Sequence, residues 1–175
     1  MKKIDLTLAD QPALRAELLS EMGEVYESLG LYLEAERLKR QALSLRRQAL
    51  GPGHVKALAE VRSLAALLNI RLGREEEAGK LLEEALRIAQ RALGEDHDET
   101  LKIAGALANA WVGQRRHQEA EALFLDVIDR RRRLFGEDHP ARLIALSNLS
   151  GLYHAQDRYE DSARLDAEIL EARRR

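Results

Sequence analysis

The feature that most constrains this sequence is an internal repeat. A short turn sequence, Leu or Phe followed by Gly, two further residues and His, occurs three times, with its glycines at positions 51, 94 and 136. A second marker, an acidic residue followed by Ala or Ser, recurs at Glu34, Glu77, Glu119 and Asp161. Both series step by 42 or 43 residues. One period shared by two independent markers predicts a chain built from stacked copies of one supersecondary unit.

Within each repeat the apolar residues follow helical spacing. In the third repeat Ala120, Leu123 and Val127 are three and four residues apart, which places them on one face of a helix. Each repeat has two such segments separated by a break, and this arrangement predicts a helical hairpin. We therefore predict an all-α, right-handed solenoid of four antiparallel hairpins. Its eight helices are expected near residues 11–29, 32–50, 55–72, 75–93, 98–114, 117–135, 140–156 and 159–174.

The repeats are expected to form a single domain over residues 1–175, with units at about 11–51, 52–94, 95–136 and 137–175. In the first helix of each unit a small residue lies three positions before a large one, so that two helices can approach closely at the small position. The four pairs are Gly23 with Tyr26, Ala66 with Asn69, Ala108 with Trp111, and Ser150 with Tyr153. Asn69 is the polar exception in this column.

The breaks between helices carry their own signals. Gly30 and Gly73 are expected to end first helices because glycine tolerates positive φ, and Arg115 and Asp157 occupy the equivalent turns. Asp96 and Asp138 are expected to cap the helices that follow them. His54, His97 and His139 recur once per repeat. Ligands of one metal ion must meet at about 2 Å from it, so residues a whole repeat apart predict turn capping rather than a metal site.

The balance of charges disfavours several classes of partner. The formal net charge is −2, so the chain as a whole has no positive field to attract nucleic acid or anionic lipid. The run from Arg130 to Arg133 is the best nucleic-acid candidate, but cations near a helix C-terminus also stabilise the helix dipole, and we favour this structural interpretation. No apolar run is long enough to span a bilayer and no signal sequence is evident, so a cytoplasmic location is expected.

These repeats resemble the tetratricopeptide repeat, in which a small residue and an aromatic of the first helix meet an alanine of the second. The period of 42 and the segment Leu-Phe-Gly-Glu-Asp-His-Pro at 134–140 resemble the kinesin-light-chain type of repeat more narrowly. The resemblance implies a scaffold that binds other proteins. It also implies that first-helix asparagines hold the ligand backbone; Asn148 matches, whereas Glu21, Leu64 and Ala106 occupy the equivalent positions.

A second stripe on the first helices is the candidate contact surface, because the concave side of such solenoids is lined mainly by first helices. In the first two repeats this stripe contains Ser20, Glu24 and Glu27, then Ser63, Leu67 and Ile70. Its apolar middle between polar ends predicts a groove for a peptide or a helix. Alternatively, Leu67 and Ile70 simply complete the core. The candidate partner-binding residues are Glu24, Glu27, Leu67, Ile70, Arg71, Lys102, Asn109, Val112, Asn148 and His154.

The sequence therefore predicts a scaffold or adaptor that binds a protein or peptide. The alternatives are a self-assembling module that forms a homodimer through its terminal repeat, and the sensor or interaction segment of a larger regulator. The chain has no phosphate-binding loop and no conventional set of catalytic side chains, so we predict no enzymatic activity, no catalytic residues, no metal and no cofactor. Neither nucleic acid nor a membrane is an expected partner.

Overall fold

The computed structural model describes residues 11–175, and every regular element in that range is helical. Eight α-helices are present there, each within two residues of its predicted start and all but one within two residues of its predicted end. We number them α1 (Pro12–Ser28), α2 (Tyr32–Leu50), α3 (Val55–Ala66), α4 (Glu75–Leu93), α5 (Asp98–Gly113), α6 (His117–Phe135), α7 (Pro140–Ala155) and α8 (Tyr159–Arg174). The predicted all-α fold of antiparallel hairpins is confirmed.

The chain divides into two compact units between Ile103 and Ala104, a point that lies inside α5. In the first unit α1 packs on α2, α2 on α3, and α3 on α4. The first hairpin closes around Leu19, Leu38 and Ala42, against which Met22 and Tyr26 pack. In the second unit α6 packs on α7, and α7 on α8.

Histidine rings cap the helices that follow the three Gly-containing turns. Nδ1 of His54 accepts a hydrogen bond from the backbone N–H of Lys56 at 3.1 Å, and Nδ1 of His139 accepts one from Ala141 at 3.2 Å. His97 makes the same bond to the N–H of Glu99 at 3.1 Å. The predicted capping role of the histidines is confirmed. At the third turn the N-cap acceptor is His139 itself rather than Asp138, which precedes it by one residue.

The turns inside the hairpins all need a backbone of positive φ. Gly30 and Gly73 have φ values of 77° and 62°, and the residues that replace glycine in the later repeats, Arg115 and Asp157, both have φ of 59°. Asp157 tolerates this conformation better than most residues, and its Oδ1 accepts a hydrogen bond from the Tyr159 hydroxyl at 2.6 Å. Arg115 is the residue least suited to its turn.

Replacing Arg115 by Gly should raise the free energy of unfolding by up to about 1 kcal/mol. Left-handed backbone costs an ordinary residue about 1–2 kcal/mol, and the extra flexibility of glycine in the unfolded chain offsets part of the gain. Urea denaturation followed by circular dichroism measures the change. Asp157→Gly is the matched control and should gain less, since it also loses the Tyr159 contact. A less stable Arg115→Gly protein would contradict this account.

The first helix of the second repeat contains a π-helical turn, Leu67–Arg71, that the sequence did not predict. The N–H of Leu72 donates to the carbonyl of Leu67 at 3.2 Å, five residues back instead of four. A π-turn accommodates one extra residue in a helix. This extra residue explains why the glycines before and after the second repeat are 43 residues apart and the next pair 42.

The π-turn corrects the predicted packing of this helix. On the N-terminal side of the turn, each position of the repeat is held by the residue one earlier in the sequence than an alignment on Gly73 suggests. The small and large partners are therefore Ala65 and Leu68, both buried, whereas Ala66 is exposed and Asn69 is half-buried. The polar exception in the packing column disappears with this correction.

Candidate functional site

An open cleft lies in the first unit, between α1 and α3. Its volume is about 460 Å³. Ser20, Glu24 and Glu27 line it from α1, where they are one turn apart on the stripe that the sequence singled out. The remaining lining residues are Arg46 of α2 and Ala59, Glu60, Arg62, Ser63 and Ala66 of α3.

A buried lysine is paired with two groups of the cleft. The Nζ of Lys39 donates to the Ser63 hydroxyl at 2.6 Å and lies 3.2 Å from Oε2 of Glu27, with the lysine side chain only 1% exposed. Gly23 makes room for the lysine stem, because a Cβ at that position would lie 3.1 Å from Cγ of Lys39. Burying an ammonium group is costly unless it is paired, so Glu27 and Ser63 hold Lys39 in place.

Glu60 is the most deeply buried carboxylate of the cleft, at 3% exposed. Burial raises the pKa of Glu60 above its ordinary value and the negative charge of Glu24 adds to the rise, while a hydrogen bond from Ser20 and the charges of Arg46 and Lys39 oppose it. Nε of Arg46 lies 3.3 Å from Oε2 of Glu60. The other oxygen, Oε1, has no hydrogen-bond partner among the described residues.

The charges of the cleft do not cancel. Glu27 is matched by Lys39 and Glu60 by Arg46. Arg62 donates from Nε to the buried carboxylate of Glu99 at 3.0 Å, so it adds no net positive charge. Glu24 is exposed and forms no ion pair with any residue in the described range. One acidic side chain is therefore in excess.

A second ion-pair network joins the two hairpins of this unit away from the cleft. Arg40 of α2 contacts Glu36 at 2.7 Å and Glu77 of α4 at 2.5 Å, and Arg74 contacts the same two carboxylates. Burial alone would raise the pKa of Glu77, but hydrogen bonds from Arg40 and Arg74 outweigh it and lower the pKa. The network ties α2 to the turn before α4, and so supports the helices behind the cleft.

The predicted contact residues of the first unit differ in burial and in environment. Glu24 and Glu27 line the cleft. Leu67 is 0% exposed and Ile70 is 70% exposed, so Leu67 belongs to the core and its assignment as a contact residue was wrong. Arg71 is exposed, with its guanidinium 5.8 Å from the centre of the Tyr32 ring. Lys102 pairs with Asp98 of its own helix at 2.7 Å.

The remaining candidates lie in the second unit. Asn109 and His154 are exposed, whereas Val112 and Asn148 are half-buried. The His154 ring packs edge-on against the Tyr159 ring, with centroids 5.2 Å apart. All four are therefore at least partly accessible, and their role as contact residues stays a prediction.

Five residues that line the cleft were not predicted as contact residues: Arg46, Ala59, Glu60, Arg62 and Ala66. Ala66 was predicted to be a packing residue. Ser63 was predicted to hold the first position of the contact stripe, which Arg62 holds in the structure, because the π-turn shifts the register of α3. Arg46 comes from a second helix, and Glu60 is a charged residue on a face that becomes buried. The spacing of 43 was the one available signal for Ala66 and Arg62.

The arginine run of α6 is used within the protein. Arg130 pairs with Asp126 at 2.9 Å, and Asp129 lies between Arg132 and Arg133, at 2.9 Å and 3.0 Å. Arg131 is buried and donates to the carbonyl of Ala141. These contacts agree with the structural interpretation of the run.

Over residues 11–175 no three His, Cys, Asp or Glu side chains are grouped closely enough to hold a metal ion. Within the same range, none of the helices combines the length and the apolar character needed to cross a membrane.

Comparison with known proteins places this geometry among helical repeats. A family model described as "Tetratricopeptide repeat" matches residues 57–112 and 112–175, and a second model with the same description matches residues 15–55. Among curated proteins none matches.

Solved structures give the same result. The crystal structure of Podosopora anserina putative kinesin light chain nearly identical TPR-like repeats is 25% identical, covers 91% of this chain and 75% of its own length, and has a TM-score of 0.73. A variant of those repeats with a single substitution, also 25% identical, covers 90% and 74%, with a TM-score of 0.76. BtubC (BKLC) from P. vanneervenii is 24% identical, covers 99% and 69%, and shares the fold with a TM-score of 0.80.

Proposed function

We propose that this chain, which belongs to the tetratricopeptide repeat family, binds a peptide or a helix of another protein in the cleft between α1 and α3. Tetratricopeptide repeats mediate protein–protein interactions and serve as scaffolds rather than as catalysts.

The observation that carries the proposal is the match between the predicted stripe and the cleft. Ser20, Glu24 and Glu27 project from one face of α1 toward a concavity whose other wall is α3. The ion pairs of Lys39 and Arg46 fix its polar side chains before a ligand arrives, which lowers the entropy lost on binding. Ile70, exposed one turn beyond Ala66, offers an apolar contact in the π-turn that follows α3.

The test is selection of a random dodecapeptide library displayed on phage against the purified chain. Enriched peptides should bind the Ala66→Trp variant at least about tenfold more weakly, because the indole would fill the cleft from an exposed position without disturbing the core. Ile70→Asp should also weaken binding. Glu76→Ala, which changes an exposed residue of α4, is the matched control and should bind as the wild type does.

Two results would contradict the proposal. One is a library that yields no specific peptide. The other is a set of peptides that bind Ala66→Trp and Ile70→Asp with unchanged affinity. Circular dichroism of each variant shows that it is folded before binding is compared.

A second candidate function is self-assembly through the terminal hairpin. Ile144 of α7 and Tyr159 and Leu170 of α8 are all at least half exposed, which favours an apolar contact there. Light scattering over a range of concentrations distinguishes the two candidates. A mass that rises toward twice the monomer value supports self-assembly, and a constant monomer mass removes it.

A further inference from the structure

The carboxylate of Glu60 lies buried at the base of the cleft. Oε1 of Glu60 has no hydrogen-bond partner in the described part of the chain, although the side chain is more than nine-tenths buried. A carboxylate oxygen kept from water without a donor destabilises the folded protein, and more so when it is charged. The raised pKa of Glu60 is the electrostatic consequence of this incomplete solvation.

Glu24 adds a second acceptor in the same cleft. Its carboxylate is exposed, is unpaired within the described residues, and lines the same cleft as Glu60. The cations of the cleft already face carboxylates of their own, since Lys39 is bound to Glu27 and Ser63 and Arg46 is paired with Glu60, although Nε of Arg46 makes no hydrogen bond. The cleft therefore carries one negative charge that none of its own cations matches.

We infer that the cleft receives an arginine side chain of the bound peptide, with its guanidinium between Oε1 of Glu60 and the carboxylate of Glu24. This rests on the proposed function and specifies its ligand. A guanidinium has five N–H donors in a planar fork, so it can reach two separate carboxylates at once. It is also more weakly hydrated than an ammonium group and loses less on entering a cleft, which favours arginine over lysine.

The first test uses N-acetyl-arginine methylamide, titrated into nitrogen-15-labelled protein and followed by NMR. The amide signals of Ser20, Glu24 and Ser63 should shift in a saturable way, and the neutral analogue N-acetyl-norleucine methylamide should leave them unchanged. Glu60→Gln and Glu24→Gln should each weaken binding at least about fivefold. Glu21→Gln, an exposed change on α1 outside the cleft, is the control and should bind normally. If Glu60→Gln fails to fold, Glu24→Gln decides the result, because its side chain is exposed.

The second test uses a peptide enriched by the library selection. Its enriched relatives should share one arginine position. Replacing that arginine by norleucine should weaken binding to the wild type about tenfold and have little further effect on binding to Glu60→Gln, as a double-mutant cycle requires for two groups in contact.

The outcomes separate this inference from the proposed function. Peptides that bind the cleft without a shared basic residue, or an arginine probe that binds Glu60→Gln and Glu24→Gln as well as the wild type, would overturn the inference and leave the proposed function intact. A probe that behaves as expected while the library yields no peptide would support the cationic site and count against peptide binding.

Discussion

Replacing Leu67 by Ala is expected to lower the free energy of unfolding by about 2–5 kcal/mol, the range observed when a buried leucine is truncated and its cavity stays open. Leu67 is 0% exposed and begins the π-turn of the second repeat. Its counterparts in later repeats, 43 and 85 residues further on, are Ala110 and Leu152, and both are buried. Urea denaturation followed by circular dichroism measures the change.

Ile70 provides the matched control, since it lies three residues further along the same π-turn and is 70% exposed. Ile70→Ala should change the free energy of unfolding by no more than about 0.5 kcal/mol, as surface substitutions usually do. Equal effects of the two substitutions would contradict the burial assigned to Leu67. A stable Leu67→Ala protein with weakened peptide binding would restore its original assignment to the contact surface.

The contrast between Leu67 and Ile70 marks what the sequence could predict and where it failed. Helical spacing, capping residues and turn glycines are local signals. They predicted the positions of all eight helices because the same signals occur in every repeat. The π-turn is different. The spacing of 43 between Gly51 and Gly94 indicates one extra residue somewhere between His54 and Gly73. It does not predict at which turn of the helix that residue is inserted.

The cleft shows a second limit, which concerns charges. The sequence placed Glu24 and Glu27 on the correct face of α1, because the face follows from helix geometry. It could not place Lys39 or Glu60 there. Charged residues are usually exposed, and only the packing of three helices reveals that these two are buried as partners of residues far away in the chain.

One column of the second helices shows how a single position can serve several purposes. Lys39, Leu82 and Phe124 succeed one another at this position, and all three are buried. Lys39 needs Glu27 and Ser63 to be tolerated, whereas Leu82 and Phe124 are apolar. In the last repeat Asp166 is exposed, and its Oδ1 accepts a hydrogen bond from the Ser150 hydroxyl at 2.7 Å. The position changes from core to surface along the chain.

Phe124 should be the member of this column whose loss costs most. It is 0% exposed and is the largest apolar side chain among the fully buried residues of the described chain. Phe124→Ala removes an aromatic ring from close-packed surroundings that cannot fully collapse around the gap, so we expect the free energy of unfolding to fall by about 3–5 kcal/mol. Thermal and urea denaturation both measure this loss.

Leu125 is the internal control for this prediction, because it is the next residue of the same helix and is 48% exposed. Leu125→Ala makes a similar change in helix propensity while removing little buried surface, and should alter stability by less than about 1 kcal/mol. If both variants lost the same stability, the ring of Phe124 would not be the core contact described above. A large difference between neighbours on one helix would instead show that packing, rather than helix formation, supplies the stability of this repeat.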